Sequence, residues 1–168
     1  MTLVVAVSAL AALGRADRLD ALAAVDDEVL VPGTVFDTLT AAAPEAPPAS
    51  ALARLGDADA FRAVTVSDAP LYERLRTNDR LADDDAAAVA LADLVSGALV
   101  AEEPYLGRIA AAEGVPTTTV PGVLATAVAN GDLPAPRALD AFDDLLDAGW
   151  YGRPDLYAAF IRALDAAE

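Results

Sequence analysis

Short apolar runs alternate with segments of helical periodicity through the first two thirds of the chain. Each run is bounded by charged or turn-forming residues, which is typical of buried parallel strands. The runs lie at residues 3–7, 28–31, 61–66, 99–101 and 117–120. Strands that alternate with helices favour a sheet with helices on both faces. We therefore expect an α/β fold, a three-layer parallel β-sheet of about five strands between helices.

Helical periodicity fills the gaps between these runs and the whole C-terminal part. Ser8 is the predicted N-cap of a first helix, and the longest alanine-rich helix is predicted over residues 83–95. Residues 132–168 are predicted to be helical, with Trp150 and Tyr151 sealing the junction between the last two helices. The proline-rich stretch 44–50 is predicted as a loop and residues 51–55 as a short helix. That stretch is too short to separate domains, so we expect one domain over residues 1–168.

Composition narrows the possible chemistry. The chain has no Cys and no His, which excludes thiol catalysis, His-ligated metal sites and the Ser-His-Asp triad. It carries 27 acidic and 11 basic residues, all of the latter Arg, for a net charge of −16. Such acidity favours a protein of a salt-accumulating microbe, because at about 1 M salt the Debye length is roughly 3 Å and self-repulsion is screened.

No stretch predicts a secretory signal or a membrane span, so the sequence favours a cytoplasmic protein without a membrane partner. The acidity argues against binding a polyanion over a broad face. A small acidic pocket that holds a metal ion against one phosphate is compatible with it.

Acidic residues stand where predicted strands end and helices begin. Glu102 and Glu103 follow the fourth run, the triplet 83–85 opens the alanine-rich helix, and Asp37 lies in the helix after the second run. Ligands of parallel sheets bind at the carboxyl ends of the strands. Converging carboxylates repel one another unless a cation such as Mg²⁺ or Mn²⁺ joins them. Helix capping and solubility explain the same acids without function, and the sequence does not say which of Asp83, Asp84 and Asp85 faces a pocket.

Six motifs in the same order resemble the PIN-domain family, in particular its predicted nucleic-acid-binding members from archaea and bacteria. Each motif alone is weak, but together they span about 160 residues. Residues 4–10 (VVAVSAL) are similar to V-V-D-T-S-P-L, 14–22 to G-x-x-x-x-L-x-x-L, 29–39 to V-x-V-P-x-x-V-x-E-E-L, 85–92 to G-E-A-E-A-I-x-L-A, 99–103 to L-x-x-D-D with A-x-x-x-G after it, and 121–131 to G-x-L-G-V-L with its following A-x-x-x-G.

The resemblance implies a five-stranded parallel sheet and, where family members are active, Mg²⁺- or Mn²⁺-dependent cleavage of RNA. It also implies possible partners: RNA, an antitoxin-like protein of a toxin–antitoxin pair, and a second copy in a homodimer. By the resemblance, Asp85 and Glu102 would be catalytic. The same two residues would bind the metal together with Glu103 and Asp37.

This chain departs from the family pattern at its acids. The first acid falls on Ala6, the second on Thr38 with Asp37 beside it, the third on Asp85 and the fourth on Glu102. An alanine cannot bind a metal, so the acidic site is predicted to be partly lost. Two functions follow as hypotheses: an attenuated metal-dependent ribonuclease related to toxins, or a catalytically degenerate PIN fold that binds nucleic acid or protein. A third hypothesis is a folded protein whose acids serve solubility alone.

Overall fold

A five-stranded, all-parallel sheet forms the centre of the protein, as the alternating pattern predicts. The computed structural model describes residues 1–42, 61–152 and 154–167. The strands are β1 (Thr2–Val5), β2 (Glu28–Pro32), β3 (Arg62–Val64), β4 (Ala98–Val100) and β5 (Thr117–Thr118), in the order β3-β2-β1-β4-β5. Since β1 pairs with both β2 and β4, the strand order reverses direction at β1. This is the point of a parallel sheet where ligands bind.

Helices connect the strands and continue beyond them. The described α-helices are α1 (Val7–Arg15), α2 (Gly33–Ala42), α3 (Pro70–Leu75), α4 (Asp83–Leu94), α5 (Pro104–Ala112), α6 (Val120–Asn130), α7 (Ala135–Asp147) and α8 (Pro154–Ala167), and residues Leu19–Ala24 form a 3₁₀ helix. The predicted loop 44–50 and the short helix 51–55 lie outside the described residues. Within the described ranges, no helix is both long and apolar enough to cross a membrane.

Alternation along the strands divides the core into two layers. In β1, Leu3 and Val5 face a layer that includes α1, α6 and α7. Val4 and the following Ala6 face the other layer, which contains α4. All strand residues from Leu3 to Val5 are at most 3% exposed. Both faces of the sheet are therefore covered, which makes the strands uniformly apolar.

The alanine-rich helix α4 packs against the middle of the sheet. Its residues 86–92 are at most 1% exposed, so the middle of this helix is buried on all sides, whereas Asp83 and Leu94 at its ends are exposed. It contacts β1, β2 and β4. Small side chains let the helix approach the sheet closely. Gly97, just after it, allows the same approach, because a Cβ there would lie 2.6 Å from the carbonyl oxygen of Thr2.

The last two helices are joined through a cluster of aromatic rings around the buried Phe142 of α7. The ring of Phe160 lies 4.5 Å from that of Phe142, and the Trp150 ring meets it edge-on at 5.4 Å. Trp150 thus packs at the predicted junction. The prediction for Tyr151 is wrong, because its side chain is fully exposed. Tyr151 directly follows the partly buried Trp150, and only Trp150 packs against the helices.

The predicted cap of the first helix is also wrong. Helix α1 begins at Val7, Ala6 stands at the N-cap, and no side chain caps the helix there. Ser8 lies inside the first turn, and its hydroxyl accepts a hydrogen bond from the backbone N–H of Glu102 at 3.1 Å. The serine therefore ties α1 to the end of β4, a long-range contact that local sequence does not reveal.

Candidate functional site

A cleft of about 480 Å³ opens at the carboxyl edge of the sheet. One wall is a face of α1 that runs from Val7 to Arg15, and another is the start of α4. The segment after β4 and the turn after α7 complete the cleft. Its charged side chains are Asp84, Asp85, Glu102, Glu103 and Arg15. We call it the acidic cleft. The structure thus brings together three of the four predicted metal ligands.

Glu102 holds the end of β4 to two distant segments. Its Oε1 accepts a hydrogen bond from the backbone N–H of Val120 at 2.6 Å, and its Oε2 accepts one from the indole N–H of Trp150 at 2.7 Å. Burial raises the pKa of Glu102, and the two hydrogen bonds oppose that rise. Both carboxylate oxygens therefore already have protein donors, which gives this acid a structural task at the cleft.

Asp85 is an acid of the cleft whose pKa is clearly raised by its surroundings. It lies half-buried in the first turn of α4. Burial raises its pKa from 3.8 to about 6, and the nearby charges of Glu103 and Asp84 act in the same direction. A carboxylate that is desolvated next to like charges is a candidate for binding a cation or exchanging a proton. In the described part of the chain, the Asp85 side chain makes no hydrogen bond and no ion pair, so no such contact gives it a structural role.

The acids next to Asp85 and Glu102 differ in their exposure to the cleft. Asp84 lines the cleft and is half-buried, whereas Asp83 is exposed and lies outside the lining. Glu103 occupies the N-cap position of α5, but its side chain makes no capping hydrogen bond. In the same way Ala82, and no acid, stands at the N-cap of α4. Capping therefore does not account for Asp85 and Glu103, although both lie near the positive end of a helix dipole.

The other two predicted positions lie away from the cleft lining. Asp37 is exposed on α2 and does not line the acidic cleft, and Thr38 beside it is exposed as well. Ala6 is fully buried in the layer that contains α4. Its N–H donates to the carbonyl of Val100 at 3.0 Å, which continues the pairing of β1 with β4. The end of the first strand therefore contributes packing to this site and no ligand.

The donor set fits one divalent cation better than two. All side-chain donors of the cleft acids are oxygens, which Mg²⁺ and Mn²⁺ prefer, and Mg²⁺ is commonly held by one or two carboxylates with waters and substrate phosphates completing its shell. Asp85 and Glu103, whose charges interact, are the candidates for such a pair. Within the described ranges no group of three carboxylates is arranged to hold an ion. A site for two ions does not fit, since Ala6 offers no ligand and Glu102 is engaged on both oxygens.

Three features of the cleft were not predicted from the sequence. Ser8 fixes the backbone of Glu102, Arg15 brings the one basic side chain of the lining, and Trp150 with Tyr151 forms the rim. Ser8 and Arg15 are seven residues apart on α1 and therefore lie on one helical face, a spacing that could have suggested that both line the same cleft. The sequence holds no comparable signal for Trp150, whose partner Glu102 is 48 residues away.

Comparison with known proteins identifies one family. A family model whose description is PIN domain matches residues 2–166. No curated protein and no solved structure matches the chain. The match covers both the sheet and the C-terminal helices, and with them every residue of the acidic cleft.

Proposed function

This chain belongs to the PIN-domain family, and we propose that it binds single-stranded RNA through one divalent cation, with its hydrolytic activity largely lost. The observation that carries this proposal is the state of the first and fourth acid positions. Ala6 is part of the packed core. Both carboxylate oxygens of Glu102 accept hydrogen bonds, one from Val120 and one from Trp150. Phosphodiester hydrolysis in a two-ion site needs carboxylates that hold both ions. Asp85 and Glu103 would hold one ion, since one or two carboxylates commonly bind Mg²⁺.

The cleft residues supply distinct parts of such a binding site. Asp85 and Glu103 would hold the cation, and Asp84 adds negative charge beside them. When bound, Mg²⁺ or Mn²⁺ would neutralise these acids and act as a Lewis acid toward a phosphate oxygen. Arg15, on the α1 wall of the cleft, would contact a neighbouring phosphate. This division explains how a strongly acidic protein can accept a polyanion at one point while its remaining surface repels it.

A binding assay with matched variants tests the proposal. A fluorescein-labelled single-stranded RNA is titrated with protein at high KCl, in the presence of either Mn²⁺ or EDTA, and anisotropy is recorded. We expect binding with Mn²⁺ that weakens about tenfold or more in Asp85→Asn, the scale on which groups of a metal site matter. Asp83→Asn is the control, because it removes an acid from the same helical turn outside the cleft. Equal binding in Mn²⁺ and EDTA would refute the cation-dependent mode.

The second candidate function is an attenuated ribonuclease, which the raised pKa of Asp85 inside a concave site favours. Its test is Ala6→Asp, which returns a carboxylate to the end of the first strand. If the cleft derives from a two-ion site, Ala6→Asp tightens Mn²⁺ binding about tenfold in calorimetry and raises RNA cleavage above that of the wild type. Ala6→Asn, similar in size but neutral, is the control. Because Ala6 is fully buried, circular dichroism of both variants must show a folded protein before the comparison counts.

A further inference from the structure

The lining of the acidic cleft includes one fully exposed aromatic side chain. Tyr151 is fully exposed, and it lines both the acidic cleft and a neighbouring groove of about 470 Å³ beside β5. We propose that Tyr151 is a stacking platform for an unpaired base of the bound RNA, so that a base subsite adjoins the phosphate site. This inference rests on the proposed function, the binding of single-stranded RNA, and adds to it a subsite for one base.

The turn that carries Tyr151 is held from both sides. Gly149 ends α7 with a φ of +87°, a conformation that favours glycine. The N–H of Trp150 then donates to the carbonyl of Leu145 at 2.8 Å, while its indole N–H donates to Glu102. Gly152 lies against the indole, since a Cβ there would overlap the Trp150 ring. The neighbour of Tyr151 is thereby fixed on each side, and Tyr151 itself is left in solvent.

This exposure leaves the Tyr151 ring available to a ligand. Covering an aromatic ring with another apolar surface removes it from water, which is favourable. The Trp150 ring next to it is packed edge-on against Phe142. Proteins recognise unpaired bases by stacking them on tyrosine, tryptophan or phenylalanine rings beside a positively charged groove that follows the backbone. The fixed turn supplies the exposed ring, and Arg15 together with the cation proposed at Asp85 and Glu103 would supply the positive charge.

Charge favours stacking over a purely ionic contact in this chain. Counterion release drives most binding of nucleic acid by basic proteins, and it weakens steeply as salt increases. This chain has a net charge of −16 and one basic residue in the cleft, Arg15. None of the ion pairs in the described part of the chain involves Arg15. Stacking requires no net charge, so a base on Tyr151 would help to retain a strand at high salt, where the contact of a phosphate with Arg15 is weakened.

The test measures binding of a labelled octauridine RNA in about 2 M KCl with Mn²⁺, a salt range in which ionic contacts are largely screened. We expect Tyr151→Leu to raise the Kd about tenfold, the effect of losing one stacked base. Tyr151→Phe keeps the ring and should bind within about twofold of the wild type by the same argument. Tyr157→Leu is the control, because Tyr157 stacks on Phe142 and does not line the acidic cleft.

The outcomes separate this inference from the proposed function. If the wild type binds RNA and Tyr151→Leu binds equally well, the stacking platform is refuted while the cation-dependent site stands. Absence of wild-type binding refutes the proposed function and the platform together. An octathymidine DNA serves as a further arm. A tenfold loss in Tyr151→Leu on RNA supports the platform whether or not DNA shows it, whereas a loss confined to DNA refutes the RNA assignment.

Discussion

Replacement of Asp85 by Asn should stabilise the protein above pH 6. The pKa of this carboxyl is raised from 3.8 to about 6, first by burial and then by the charges of Glu103 and Asp84. Between about pH 4 and pH 6 the folded chain therefore binds more protons at Asp85 than the unfolded chain does. The contribution of Asp85 to stability consequently falls as pH rises through this window, and the full penalty is present above pH 6. Asn carries no charge, so Asp85→Asn does not have this penalty.

The pKa shift sets the size of the effect. A rise from 3.8 to about 6 corresponds to a ceiling of about 3 kcal/mol, at 1.36 kcal/mol for each unit of pKa. Asp85 is only half-buried, so solvent screening reduces that figure. We expect about 1 kcal/mol at pH 8, which for a domain of this length is about 2–4 °C in Tm. At pH 4 the wild type and Asp85→Asn should differ little, because the carboxyl is then largely protonated.

Thermal unfolding by circular dichroism between pH 4 and pH 8, at a fixed high KCl concentration, measures this difference. Asp83→Asn is the control, since it also removes a negative charge from the first turn of α4 and loses the favourable interaction with the helix dipole, worth about 0.3–1 kcal/mol. Subtracting the control isolates the burial of Asp85. If Asp85→Asn and Asp83→Asn have the same stability at every pH, the Asp85 carboxylate is not strained and the argument for a cation site at Asp85 loses its electrostatic basis.

Three further results follow from the same structure. Glu102→Gln keeps one acceptor oxygen for two N–H donors, so the free energy of unfolding in urea should fall by about 1–3 kcal/mol. The fluorescence emission of Trp150 should shift to the red, and an unchanged emission would argue against the hydrogen bond to the indole. Gly152→Val should displace the same indole, whereas Gly107→Ala, where a Cβ meets nothing within 4 Å, should leave its emission unchanged. The Tm should rise between about 0.1 M and 2 M KCl as the Debye length falls from about 10 Å to under 3 Å, and a Tm independent of KCl would contradict the inference of a salt-adapted protein.

The sequence alone was sufficient to predict the elements and their order. All five predicted strands are present, each within three residues of its predicted bounds, because a buried parallel strand is marked by a local apolar run. The meeting of Asp85 with Glu102 and Glu103 at one edge was also predictable. The carboxyl ends of parallel strands share an edge, so acids that follow one strand must lie near helices that start there.

Tertiary structure decided what each acid does. Glu102 reads as a ligand in the family motif, but its oxygens meet donors 18 and 48 residues away, and only the packing of α6 and of the turn after α7 brings them there. Asp37 was predicted at the cleft because it adjoins the motif position, yet on α2 it is exposed and outside the lining. Thr38, the motif position itself, is also exposed and outside the lining, so the placement of α2 and not the one-residue offset keeps Asp37 from the cleft. Hydrophobic period is local and readable from the sequence, whereas the partner of a polar side chain depends on how distant segments pack.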